Sequence, residues 1–478
     1  MLRTALLAAV AVLAATGAYA QTVVNLKHSA PDGALTGFLL TDGTVLVQGY
    51  GYTDWYRLTP DNFGSYVNGT WARAASLPSG YAPDASASAV LADGRLLMAG
   101  GEYNFGNFTL TNICALYDPV ANKWTEISPP KGWNYIGDSP ATVLPNGHFL
   151  IGDKINEHVA ELDPATLKWK KLSFAGKADF NAEEGWTLLP NGTVLTADVK
   201  AHPNSEIYDV QQQAWTSAGS TVVDLQSPRE EGKIHYGNGK VYLPPGEIGP
   251  AILRPDGTVF ATGGTHKGAK SGHTAIYTPP ANGVGIGTWA AGPDFPTGED
   301  AGDSFAVLLP SGNVLVEAES GNLYEFNGST LTAEHQNGGG MLLDLPTGEV
   351  FLAGNAVYRP AGTANPAWAP TISSVAATLT RGSTYPISGT QFNGLSQAAA
   401  FGDEYQMATN YPLVRITNTA SGHVFYARTH DHSSMGVATG NQTITTSFDV
   451  PAAAEAGAST LAVVANGIAS TTVAVTLQ

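Results

Sequence analysis

Seven stretches of this chain repeat one phrase: FLLTDGTVLVQG (residues 38–49), AVLADGRLLMAGG (89–101), TVLPNGHFLIG (142–152), TLLPNGTVLTA (187–197), AILRPDGTVFATGG (251–264), VLLPSGNVLVE (307–317) and LLDLPTGEVFLAG (342–354). Each is a short turn ending in glycine, with apolar residues on both sides. Asp-Gly, Asn-Gly and Ser-Gly between alternating hydrophobics form tight hairpin turns, because glycine accepts the positive φ such a turn needs. The turn glycines are Gly43, Gly94, Gly147, Gly192, Gly257, Gly312 and Gly348, spaced 51, 53, 45, 65, 55 and 36 residues apart. Sheet-forming repeats of this length indicate a propeller or a solenoid.

A second signal keeps the same period. An aromatic or apolar turn leads to a tryptophan in LYDPVANKW (ending at Trp124), ELDPATLKW (Trp169), IYDVQQQAW (Trp215), IYTPPANGVGIGTW (Trp289), VYRPAGTANPAW (Trp368) and WYRLTPDNFGSYVNGTW (Trp71); the sixth repeat, LYEFNGSTLTAE, lacks it. Six of the nine tryptophans thus share one repeat position, which reads as packing between neighbouring sheets rather than ligand contact. The aromatic cluster Tyr50, Tyr52, Trp55 and Tyr56 divides between the same packing and a platform for sugars.

The first 20 residues, with Arg3, an apolar run from Leu6 to Ala15 and Ala18-Tyr19-Ala20, read as a secretory signal peptide cleaved near Ala20, leaving a secreted protein. No apolar run reaches the length of a membrane span. With 23 basic and 40 acidic residues the net charge is −17, which argues against nucleic acid and anionic membrane as partners. The one cysteine, Cys114, excludes an internal disulfide and reads as a buried hydrophobe on a third or fourth strand. The expected order is signal peptide (1–20), seven-bladed β-propeller (21–366) and a C-terminal β-sandwich of immunoglobulin-like architecture (367–478), all β, as a monomer. Thr22 to Leu26 are free to complete the last sheet of a closed ring. KIHYGNGKVYLPPG, with its turn at Asn238-Gly239, reads as outer strands of one blade plus a loop.

The glycine doublets Gly100-Gly101 and Gly263-Gly264, with the downstream aromatic turn and tryptophan, resemble the kelch propellers. FGDEYQ (401–406), NYPLVRITN (410–418) and YARTHDHSSMGVATG (426–440) look like the sandwich domain of galactose oxidase and glyoxal oxidase. That resemblance implies a copper-radical oxidase with two tyrosines, two histidines and a tyrosine–cysteine link. The ligand positions do not carry it. Gly338 and Gly339 stand where a Tyr-His pair belongs, Asp84, Asp138 and Glu183 begin inner strands where a tyrosine belongs, and Cys114 is on an outer strand. His430 alone remains, so a copper-radical cofactor is not expected.

The same count exposes carboxylates at the starts of five inner strands: Asp84, Asp138, Glu183, Glu247 and Asp303. Inner strands converge on a propeller axis, so these groups should share one acidic mouth, lined also by Trp133, Tyr135 and Trp186. Gathered like charges need an offset from a cation, a basic partner, raised pKa values or water. By the resemblance, the loop carrying His430 and His432 reaches the same place, where with Asp138, Glu183 and Asp303 it would suit a divalent cation. A structural reading, in which these carboxylates hold loops, stands beside this one. Three functions follow: a binding protein for carbohydrate or another hydroxylated ligand, a metal-dependent oxidase or a hydrolase using the carboxylates and a loop histidine, or a structural surface protein.

Overall fold

The computed structural model describes residues 21–228, 234–235, 241–242, 246–281, 283, 285–402 and 404–478. Each repeat phrase folds into two antiparallel strands joined at its glycine, and two further strands complete a four-stranded meander. In the first sheet these are Thr36–Leu39, Val45–Gln48, Trp55–Thr59 and Thr70–Arg73. Five more sheets follow the same order, with inner strands at Ala87–Val90, Ala141–Val143, Thr187–Leu188, Ile248–Leu253 and Phe305–Leu308. The seventh has three strands of its own (Leu342–Asp344, Val350–Leu352, Ala356–Arg359) and takes Thr22–Asn25 as its fourth. The turn glycines all have positive φ, from 74° at Gly43 to 86° at Gly312, so a side chain at any of them would be strained.

The inner strand of the last sheet lies against that of the first as well as that of the sixth. This closes the set into a β-propeller-like ring, an arrangement that leaves only short sheet edges. The tryptophans pack as the repeat indicates. Trp124, Trp215 and Trp289 sit across from Tyr117, Tyr208 and Tyr277 on the neighbouring strand, with ring centroids 4.9–5.1 Å apart. The indole N–H groups of Trp124 and Trp169 donate to Ala75 and Ser128 carbonyls of the preceding repeat, at 3.1 and 2.7 Å. Trp55 is fully buried between Phe38 and Trp124. Trp368 departs from the pattern: it ends a short 3-10 turn and lies over Gly312, because Thr22–Asn25 occupies the outer position of the last sheet.

Cys114 is on the third strand of the second sheet, buried, and burial pushes its thiol up to about 12. The extra hairpin is a two-residue ladder, Ile234–His235 with Val241–Tyr242, in a sheet of its own instead of the outer strands expected of it; its turn lies outside the described residues, as do residues 1–20, expected as a signal peptide.

After Trp368, nine strands form one connected sheet system over a single apolar core of residues such as Ile387, Val414, Phe448 and Leu461. The strand Val424–His430 changes partner midway, pairing first with Leu413–Asn418 and then with Ile444–Asp449. This domain rests on the turn face of the ring: Tyr426 lies over Gly43, Thr429 over Gly94 and Gly467 over Gly348. Among the described residues no helix is long and apolar enough to cross a membrane.

Candidate functional site

The inner strands start on the face opposite the hairpin turns, so residues just before them are gathered there. The axis itself is filled. Residues 397–402 and 404–411 of the C-terminal domain run along it and touch the inner strand of sheet after sheet. Ala399–Phe401 pairs antiparallel with the inner edge of the sixth sheet. Gln397 donates to Thr142 Oγ1 (3.0 Å) and accepts from Leu188 N–H (2.8 Å), Gln406 N–H reaches Ser88 Oγ (3.3 Å), Thr409 reaches Asp344 (2.7 Å), and Tyr411 donates to the Leu39 carbonyl. The segment emerges among the carboxylates with Glu404 and Tyr405. Tyr405 donates to Asp84 Oδ1 at 2.6 Å and accepts from Ala85 N–H at 2.7 Å.

At the centre of the carboxylates stands Lys154, whose side chain is fully buried. Its Nζ is 3.2 Å from Glu102 Oε1 and 2.6 Å from Glu183 Oε1, and it also donates to Asp138 Oδ2. The three acidic groups offer oxygens within 4.8 Å of one another. Glu102 gets there through a glycine doublet. A Cβ on Gly100 would fall 2.4 Å from the Gly137 carbonyl, so only glycine lets that chain pass the loop carrying Asp138. Burial pushes the carboxyls of Asp138 and Glu183 up, against the pull of Lys154, and Glu102 adds repulsion to both. Glu404 is raised well above the usual range, by burial first and then by Asp303, Asp138, Glu102 and Glu183. Glu183 and Asp303 have φ of 59° and 45°, and Ala85, next to Asp84, has 50°. Non-glycine residues in this region are uncommon, and these three lie just before inner strands on this face.

Asp84, Asp138, Glu183 and Asp303 are therefore gathered on one face as the strand pattern requires. Glu247 is buried on the fifth-sheet side, where a Cβ on Gly302 would stand 3.5 Å from its own. The histidines are elsewhere. His430 is held by Asp431 (2.7 Å) and Asp449 (3.2 Å), and His432 by Thr446 (2.8 Å), with its backbone N–H donating to the Ala92 carbonyl at the turn face. The expectation that they join Asp138, Glu183 and Asp303 fails because residues 397–402 and 404–411 enter the axis, not 430–432. Trp133 and Trp186 do not line the acidic mouth either. Both are 4% exposed, Trp133 stacked on His158 and Trp186 packed near Trp215, so neither faces a ligand. Tyr135 is half-buried.

The donor set fits no copper-radical centre, since carboxylates and Lys154 surround the mouth and Gly338-Gly339 offers no side-chain ligand. A divalent ion among Glu102, Asp138 and Glu183 would have to displace the Lys154 ammonium, which already bonds all three.

Beside the axis, between the sixth and seventh sheets, is a cavity of about 360 Å³, walled by Asp303, Glu317, Glu319, Asn337 and the backbone of Gly339 and Gly340. Glu317 ends the second strand of the sixth sheet and is buried. Its Oε1 accepts from Gly340 N–H at 2.8 Å, while Oε2 is buried with no hydrogen-bond partner. Burial raises this carboxyl to about 8, and the Gly340 and Gly339 N–H groups only partly oppose it. Burial similarly raises Asp344 to about 7, and lowers His432 to about 3.

These shifts set a pH dependence. Glu317 and Asp344 bind protons in the folded chain at pH values where the unfolded chain has released them. Their contribution to stability therefore falls as pH rises from about 4 to about 8. His432 acts oppositely, but only between about 3 and 6.5. From pH 6.5 to 8 the carboxyls dominate among these groups, and Glu317 alone should lower the unfolding free energy by about 2 kcal/mol. Urea unfolding across that range should show the decline, flattened in Glu317→Gln. An equal slope in the variant would place its origin in another group.

No family model and no curated protein matches the chain. Among solved structures it is similar to selenomethionine-substituted virginiamycin B lyase from Staphylococcus aureus, at 10% identity and a TM-score of 0.44, covering 71% of this chain and 97% of that one. It is also similar to the extracellular domain of a one-component system from B. thetaiotaomicron, at 11% identity and a TM-score of 0.47. That match covers 97% of this chain but spans only 58% of the other.

Proposed function

We propose that this is a secreted, seven-bladed kelch-type propeller with an immunoglobulin-like C-terminal sandwich, similar to galactose oxidase in plan but without its copper-radical centre, and that it binds carbohydrate or another small hydroxylated ligand at the acidic face of the ring. The observation that carries the binding reading is the cavity at Asp303 and Glu317. It is concave, lies beside the axis, and combines several polar groups with exposed backbone, as small-molecule sites do. Carboxyl oxygens accept hydrogen bonds from sugar hydroxyls, and a wall of glycine backbone admits a ring closely.

Calorimetric titration of the purified protein with neutral mono- and disaccharides and with simple polyols tests this. Binding that is lost in Asp303→Ala supports it; no heat with any of them, or binding indifferent to Asp303, overturns it. A second reading, a hydrolase, is favoured by the three carboxyl groups of Asp303, Glu317 and Glu319 in one cavity, since a carboxyl pair suffices for glycoside cleavage. Release of reducing sugar from neutral glycosides, abolished by Asp303→Asn, would establish it, and turnover that survives that change would exclude this cavity as its site.

A further inference from the structure

Two histidines from neighbouring sheets converge on one carboxylate. His202 lies in the loop after Val194–Ala197, the second strand of the fourth sheet, and His266 in the loop after Val259–Gly263, the second strand of the fifth. Asp224 lies on the connection between these sheets, after the fourth strand Ala214–Ser220. Second and fourth strands run away from the hairpin turns, so all three residues arrive at the end of the ring that carries Lys154. Glycine permits the close approach: a Cβ on Gly263 would fall 2.3 Å from the Leu225 carbonyl, and one on Gly264 2.6 Å from Ser227 Cβ. Gly264 N–H donates to the Leu225 carbonyl at 3.0 Å and Thr221 N–H to the Pro203 carbonyl at 2.8 Å, which ties the Asp224 connection to both histidine loops. Gln226 N–H holds Asp224 Oδ1 at 3.2 Å and leaves Oδ2 to the rings. His202 Nδ1 stands 2.6 Å from Oδ2, and His266 Nδ1 3.2 Å from the same oxygen. Only the first of these is a hydrogen bond; His266 Nδ1 is enclosed and has no hydrogen-bond partner. A carboxylate that served only to hold His202 would not need a second ring nitrogen turned on the same atom.

We infer that His202, His266 and Asp224 bind one divalent transition-metal ion through the two Nδ1 atoms and Oδ2. Donors bonded to one ion at about 2 Å stand about 3 Å apart, close to the spacing of each nitrogen from the oxygen here. The rings, with centroids 5.9 Å apart and planes inclined at 58°, flank the carboxylate instead of stacking on each other. The ion replaces the hydrogen bond between His202 and Asp224, the proton of that ring moving to Nε2, and draws both rings in around the carboxylate. Imidazole donors favour zinc, copper or nickel, whereas calcium and magnesium are held by oxygen. Three protein donors leave a position for water. The side chains of His202, His266 and Asp224 are 32%, 34% and 20% exposed, so an ion has a way in from solvent. The site shares no residue with the cavity at Asp303 and Glu317 and stands whether or not that cavity binds sugar.

The test titrates zinc chloride calorimetrically into the purified, chelator-treated protein. The expected result is one zinc ion per chain, not displaced by calcium or magnesium at about a hundredfold excess. His266→Ala and Asp224→Asn should each weaken zinc binding by more than about a hundredfold, since even the loss of a residue behind a metal ligand costs up to that much. Cobalt in place of zinc should give a visible absorption band that is lost in His202→Ala. His273→Ala, which removes a ring paired only with Asp294 at 2.8 Å, should bind zinc as the wild type does and so reports on adventitious capture by surface histidines. The substituted side chains are partly exposed, and the wild-type titration judges the inference without them. No zinc bound by the wild-type chain would overturn it. So would zinc held equally well by His266→Ala and Asp224→Asn, or a loss in His273→Ala as large as theirs.

Discussion

Replacing Lys154 by methionine should lower stability by about 3–5 kcal/mol at pH 7.5, because it leaves buried carboxyls facing one another without a cation. Methionine keeps the length and most of the volume, so little of the loss comes from a cavity. Asp138 is 1% exposed and its Oδ1 already lacks a partner, so it has no route to water once the ammonium is gone. The carboxyls of Asp138 and Glu183, already pushed up by burial, would rise further and take up protons. The loss should therefore shrink markedly at pH 5, where protonation is easy. Urea unfolding of Lys154→Met at both pH values checks this, with Lys154→Met/Glu183→Gln expected to recover part of the loss at pH 7.5. A loss under about 1 kcal/mol, or one unchanged by pH, would mean the group is not a charge-compensated centre.

Much of the ring was legible in the sequence because its signals are local. Hairpin turns, a period-two pattern and a repeated tryptophan specify each sheet on its own, and even the closing strand, expected at Thr22 to Leu26, is found at Thr22–Asn25. The acidic face was legible through one geometric step, counting back from each turn glycine to the strand start. What offsets that charge was not. Lys154 and Glu102 follow the second strand of their sheets, 7 and 8 residues after Gly147 and Gly94, and a count forward from the glycines would have reached the same face. Glu404 arrives by a path no local pattern encodes, since it depends on which part of the C-terminal domain enters the axis. The sequence likeness pointed to the histidine loop, but Arg428 and His432 bond to the Asp93 and Ala92 carbonyls and hold that loop at the turn face. Likewise His202 and His266, from neighbouring repeats, meet on Asp224 (2.6 and 3.2 Å), a contact invisible to spacing along the chain.

Lys177→Met should be at least as damaging as the change at Lys154, since this ammonium holds four carboxylates: Asp179 (2.8 Å), Glu184 (3.1 Å), Asp198 (3.0 Å) and Glu206 (2.7 Å). Its side chain is fully buried and stands 5.3 Å from the Trp215 ring. Burial pulls its pKa down, but the four acidic groups outweigh that and hold it well above the ordinary lysine value. Burial raises Asp198 to about 7 even with the lysine present. A loss of about 3–5 kcal/mol is expected at neutral pH. It should be concentrated in one place, because Lys177 ties the segment between the third and fourth sheets to strands of the fourth. Hydrogen exchange should therefore quicken first in residues 173–186 and 198–206, ahead of the first and second sheets, as a locally opened unit would. The segment so released includes Glu183, one of the partners of Lys154, so loosening it should also weaken ligand binding at the acidic face. Uniform exchange throughout the ring would instead show that the seven sheets unfold as one body, with this cluster contributing only to their common stability.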